Sequence, residues 1–199
     1  MSENKYAVDA SFTEESAGSK WISPCSLERV IIQEVKFIKS SQKGTPGIQI
    51  EVRNGSEEDS QKCIQTYWLS EKALLNTKKN LSIIADKLGV FENVSNKWNT
   101  CQSDEDFAAA FSSEVTGKQI MILFAGEQNW LKDEESGTYR EWVKPVFNPF
   151  KFAANVNDTE KIAELTKFLE KNKDKMIKLS PKPEEIGSSD GGSGGSVNW

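Results

Sequence analysis

Across residues 27–69 apolar and polar positions alternate in three short runs, LERVIIQEVKFIKS, GIQIEVRN and KCIQTYWL. β-Branched and aromatic residues dominate these runs, and Gly, Pro, Asn and Ser gather at 43–47 and 55–60 between them, so the pattern predicts three consecutive strands joined by turns. The first strand has one slip in phase. Val30 and Ile32 point one way, and the inward set then resumes at Val35 and Phe37, across the polar pair Gln33-Glu34. One extra residue in a period of two predicts a β-bulge, which lets a long strand bend from one partner to another. In the second strand Ile48, Ile50 and Val52 face inward. In the third, Ile64, Thr66 and Trp68 oppose Cys63, Gln65, Tyr67 and Leu69, so one of Tyr67 and Trp68 points away from the core.

After Ser70, a candidate N-cap, the spacing changes to that of a helix, with Leu74, Leu81, Ile84, Ala85 and Leu88 in one stripe closed by Gly89. A shorter helix is predicted over 104–113, with Phe107, Ala110 and Phe111 inward, and FENVSNKWNTCQS between the two reads as loop. Trp98 in that loop is either a packing lid or a contact residue. KQIMILFAG is almost continuously apolar and predicts a strand buried on both faces. EQNWLKDEESG reads as a hairpin tip, and TYREWVKPVFNPF as the returning fifth strand, with Pro145 at an edge or strand end because it cannot donate to a ladder. A last amphipathic helix, capped by Asn157 or Asp158, runs to about residue 173 with Ile162, Leu165, Phe168 and Leu169 on one side.

The expected organisation is therefore an N-terminal arm over 1–20, a barrel domain over 21–156, a C-terminal helix over 157–179 and a Gly/Ser-rich acidic tail over 180–199, too poor in apolar residues to form a core. Trp21 and Ile22 stand where the arm meets the barrel. Three strands, a helical connection and two strands form the connectivity of an oligonucleotide/oligosaccharide-binding (OB) fold, a five-stranded, partly open Greek-key barrel. The fold class expected is mainly β with helices, β-β-β-α-β-β, with the added C-terminal helix and tail.

Composition narrows the chemistry. The chain of 199 residues has no histidine, which removes His-assisted serine, cysteine and metal-dependent hydrolysis. It has neither a phosphate-binding G-x-x-x-x-G-K-[ST] loop nor a G-x-G-x-x-G turn. Cys25, Cys63 and Cys101 are far apart and lack companion ligands, so a zinc site is not expected. A non-enzyme without cofactor or metal is the expectation. No run of about 18 apolar residues exists, and the first residues lack a basic-then-apolar leader, so the default location is the cytoplasm, with no membrane partner. The formal net charge is −5. Any site for a polyanion must then be a local basic groove on an acidic body.

Such a groove has its ingredients here. Single strands are bound by pairing cations for the phosphates with flat rings for the bases. Lys36, Lys39 and Lys43 gather at the end of the first strand and its turn; Arg53 and Lys62 flank the next tip; Tyr67 or Trp68 lies on the third strand. Trp130 and Lys132 occupy the hairpin, and Tyr139, Arg140, Trp142 and Lys144 follow it. Trp68 and Trp142 are candidates for core as well as for contact, whereas Trp130 has little structural reason to be where it is. In the tail, Glu184, Glu185 and Asp190 precede a Gly/Ser tether ending Val197-Asn198-Trp199. It is read as docking on a partner, as competing with nucleic acid for the protein's own groove, or as a linker remnant.

The layout, the turn K-G-T-P-G followed by IQIEV, the YWLSEKALL junction and a tail ending in an aromatic residue resemble bacteriophage single-stranded DNA-binding proteins of the OB-fold type. The resemblance implies a non-enzymatic protein of the host cell cytoplasm that coats single-stranded DNA in phage replication, recombination or repair. It also implies recruitment of replication or recombination proteins through the tail. A rival from another class is a protein–protein adaptor or virion component that uses the barrel only as a scaffold, since fold does not fix function.

Overall fold

The computed structural model describes residues 21–55, 60–133, 136–148 and 152–183. The 1–20 arm and the tail residues Glu184, Glu185, Asp190 and Trp199 lie outside them. Among the described residues the architecture is mixed α/β: a seven-stranded open sheet with four α-helices. Three strands come first, β1 (Ser26–Lys39), β2 (Pro46–Arg53) and β3 (Lys62–Trp68). The helical connection holds α1 (Glu71–Lys87), α2 (Phe91–Trp98) and α3 (Asp104–Val115). Strands β4 (Gln119–Lys132) and β5 (Tyr139–Val146) follow. A two-residue strand β6 (Ala153–Ala154), helix α4 (Thr159–Asn172) and a second short strand β7 (Ile177–Lys178) complete the described elements. The main path runs β3-β2-β1-β4-β5, all antiparallel; β6 joins β4 antiparallel and β7 joins it parallel.

The bulge in β1 falls where the apolar phase slips. The register to β2 jumps between Ile32 and Glu34 and leaves Gln33 unmatched. Up to Ile31 the strand pairs with β4, and from Ile31 onward it pairs with β2, so the bend lets one strand serve two neighbours. The continuous apolar run of β4 has a matching cause. Ile120, Ile122 and Phe124 enter the core shared by β1, β2, β3 and the helices, whereas Met121 and Leu123 point the other way, into a second cluster with Leu165 of α4.

Three expectations need correction. Residues 91–98 are helix α2, not loop: Phe91, Val94 and Trp98 are spaced for one helical face, and the polar residues between them hide it. Trp98 stacks on Phe107 at 4.4 Å and donates from Nε1 to the Phe107 carbonyl at 3.1 Å, which makes it a packing lid. Strand β4 runs on to Lys132, so Trp130 sits within a ladder opposite Glu141 and not in a hairpin tip. Finally, no ladder joins β3 to β5 among the described residues, and the barrel does not close. Pro145 contributes to that seam. It turns a carbonyl toward β3, where Cys63 Sγ donates to it at 3.4 Å, but it has no N–H to return. The seam is bridged by side chains, with Tyr67 edge-on to Phe147, and by the segment before β1, where the Ile22 N–H donates to the Lys62 carbonyl at 2.9 Å.

Candidate nucleic-acid interface

Alternation along β1, β2 and β3 sorts their side chains into two faces. The inner face holds Ile48, Ile50, Val52, Cys63 and Tyr67, all buried. The outer face forms cross-strand rows: Ile38, Gly47 and Trp68; Lys36, Gln49 and Thr66; Glu34, Glu51 and Ile64; then Arg53 and Lys62. The choice between Tyr67 and Trp68 is thereby made. Tyr67 points inward, its hydroxyl is pushed above the ordinary phenol range by burial and then by neighbouring Cys63, and it offers no ring face to a ligand. As a contact residue, Tyr67 is a correction. Trp68 is 37% exposed, among the few large apolar side chains left outside the core.

Gly47 makes the position of Trp68 possible. A Cβ at Gly47 would stand 2.8 Å from Trp68 Cε3 and 3.1 Å from Cζ3, closer than carbon atoms approach, so the indole lies against bare backbone. The Trp68 main chain is also held. Its carbonyl accepts from the buried Thr77 hydroxyl of α1 at 2.7 Å, and the next N–H, of Leu69, donates to the Pro46 carbonyl at 2.9 Å. Beside the ring is a groove of about 690 Å³ lined by Lys43, Thr45, Trp68, Ser70 and Ala73. The β1–β2 turn that carries Lys43 is ordered by Ser40, whose Oγ accepts from Thr45 N at 3.0 Å, and by Gly44 at φ 62°.

The cations on this face are partly matched by acids. Lys36 pairs with Glu34 at 2.7 Å, and Glu51 holds Arg53 at 2.8 Å with Lys62 at 4.0 Å. Lys39 falls by alternation on the opposite face, its Nζ 5.7 Å from the centroid of inward-facing Phe37, which corrects its place in the site; Lys43 has no ion pair among the described residues. The turn end of the groove is thus its more positive end.

The hairpin residues do not converge on one surface. Directly opposed residues of an antiparallel pair share a face. Lys132 with Tyr139 and Trp130 with Glu141 therefore lie on one side, Leu131 with Arg140 and Asn129 with Trp142 on the other. Trp130 donates from Nε1 to the Ser180 carbonyl at 2.9 Å, and Ser180 N donates to Gln128 Oε1 at 2.9 Å. That indole is a clamp for the segment after β7, a structural role that its place in a polar stretch did not suggest. Trp142 instead meets Trp21 edge to face at 6.4 Å. Sequence reasoning left Trp21 and Gly47 out of the site. Their roles depend on partners distant in sequence, Trp142 for the first and Trp68 for the second.

Of the cysteines, Cys63 is sealed under β5. Burial pushes its thiol up to about 12, with the Lys144 charge pulling weakly the other way. No helix among the described residues is long and apolar enough to cross a membrane. In comparison with known proteins, no family model matches the chain, and no significant match is found among curated proteins or solved structures.

Proposed function

We propose that this chain binds single-stranded DNA without sequence preference, as a phage-type OB protein working in replication, recombination or repair. Bases stack on exposed rings while lysines and arginines neutralise phosphates. The observation that carries the reading is Trp68: a half-exposed indole seated on Gly47, with its backbone pinned by Thr77 and with Lys43, which has no ion pair among the described residues, lining the same groove. A ring held flat at the surface without the core needing it suits a partner with a flat face of its own. The strand order β3-β2-β1-β4-β5 is the one an OB barrel would have if opened between β3 and β5. In that fold the face of the second and third strands and the flanking loops take up oligomers. Stacking on one ring is worth about 1–3 kcal/mol per base. Oligo-dT should therefore quench tryptophan fluorescence, and Trp68→Ala should remove a large part of both quench and affinity. No response of the wild-type protein to oligo-dT would overturn the proposal, and unchanged binding by the Trp68→Ala protein would remove Trp68 from it.

A protein-binding adaptor is the second reading. It is favoured by a mainly apolar cavity of about 430 Å³ between β4, the end of β5 and α4, where Phe147, Phe152, Phe168 and Met176 meet. On that reading oligo-dT produces no response at any salt concentration.

A further inference from the structure

We infer that β3 carries a second stacking station, formed by Trp21, Trp142 and Lys62 at the end opposite Trp68, and that a bound single strand lies along β3 and spans both. The inference rests on the DNA-binding reading and adds the path and length of the ligand. The outer face of β3 presents Lys62, Ile64, Thr66 and Trp68 in sequence. Six steps at roughly 3.3 Å each separate the two ends by about 20 Å. At the Lys62 end the chain before β1 joins β3 through a bridge between Trp21 and Lys62, which brings the Trp21 ring onto the outer face. Lys62 Nζ lies 5.7 Å from the Trp21 centroid, Trp142 lies 6.4 Å away at 65° to it, and Arg53 is the ladder partner of Lys62.

This cluster therefore repeats the chemistry of the first station, indoles beside cations. Neither Trp21 nor Trp142 is a buried core residue; both are half-exposed at the seam between β3 and β5. An edge-to-face pair leaves ring surface for a third flat group. Between the stations lie the uncharged Ile64, Thr66 and Gln49, and among the described residues the carboxylates of the adjoining row are already held, Glu51 by Arg53 and Lys62 and Glu34 by Lys36. A stacked strand advances roughly 3.4 Å per phosphate, so 20 Å corresponds to about six nucleotides. That lies within the roughly 4–16 nucleotides taken by one such fold. A trinucleotide reaches one station only.

The test compares a three-nucleotide with an eight-nucleotide oligo-dT, by fluorescence titration and anisotropy, on wild type, Trp142→Ala, Trp142→Phe and Trp68→Ala, with folding checked by urea midpoint. The expected result is that Trp142→Ala weakens the longer ligand at least about fivefold and leaves the shorter one unchanged, while Trp142→Phe restores most of the loss. Full-strength binding of the longer ligand by Trp142→Ala, or equal losses for both lengths, would overturn the second station. The two failures are separable. If Trp68→Ala weakens binding and Trp142→Ala does not, only the second station falls. If wild type binds neither oligomer, the DNA-binding reading falls with it.

Discussion

Adding one methyl group at Gly47 puts the platform to a direct test. The backbone there is not in the left-handed region, so alanine is conformationally acceptable. The new Cβ would nevertheless meet the Trp68 ring at 2.8 Å and 3.1 Å and the Tyr67 carbonyl at 3.3 Å. The ring is the mobile partner, because its other side is open, whereas the carbonyl belongs to the β2–β3 ladder. Overpacking a closed site costs about 1–3 kcal/mol. Here the indole can swing outward, and alanine recovers about 0.4–1 kcal/mol of chain entropy, so the net stability change should be less than about 1 kcal/mol. Binding should respond more strongly. A ring lifted off its support loses the orientation a base needs, and with stacking at about 1–3 kcal/mol an affinity loss near tenfold is expected. The assay is an oligo-dT titration of Gly47→Ala, Trp68→Ala and the double variant, with a urea melt of each. If Gly47 acts through the ring, the double variant should bind like Trp68→Ala alone. Equal losses from Gly47→Ala with and without the indole would refute the reasoning.

Other consequences are local. Thr77→Val removes a buried hydroxyl that donates to the Trp68 carbonyl at 2.7 Å; unfolding should become easier by about 1–2 kcal/mol, seen as a lower urea midpoint at unchanged slope. Trp130→Phe deletes the donation to Ser180, so amide exchange at Ser180 should accelerate while oligo-dT affinity stays the same. The folded thiol of Cys63 titrates higher than the unfolded one, so its contribution to stability should be complete below about pH 9 and lost as pH rises toward about 12. At pH 8 a thiol reagent should then label half-exposed Cys101 in the native protein and reach Cys63 only on unfolding.

The elements were legible wherever local periodicity and burial agreed. The slip at Gln33-Glu34 announced the bulge because the strand is buried on one side, and the unbroken apolar run of β4 announced a strand packed on both. Helix α2 was hidden because only Phe91, Val94 and Trp98 mark its face, and β6 and β7, two residues each, are too short to show a period. The site was harder to read. Tyr67 and Trp68 are adjacent aromatics on opposite faces, and the inward choice is set by Phe147, eighty residues away, and by the space above Gly47. Trp130 looked exposed because its partner, Ser180, lies fifty residues downstream. Clustering of lysines was visible, but the acids that pair with Lys36, Arg53 and Lys62 come from the same or facing strands and emerge only with the register.

The central claim is that an acidic protein carries a local basic channel for a phosphate chain, and the salt dependence of oligo-dT affinity tests it most directly. If Lys36, Lys43, Arg53 and Lys62 all meet phosphates, at about 0.7 released counterions each on a single strand, log K should fall against log salt with a slope of about −2.8. A slope near zero, or no binding even at about 50 mM salt, would contradict the account.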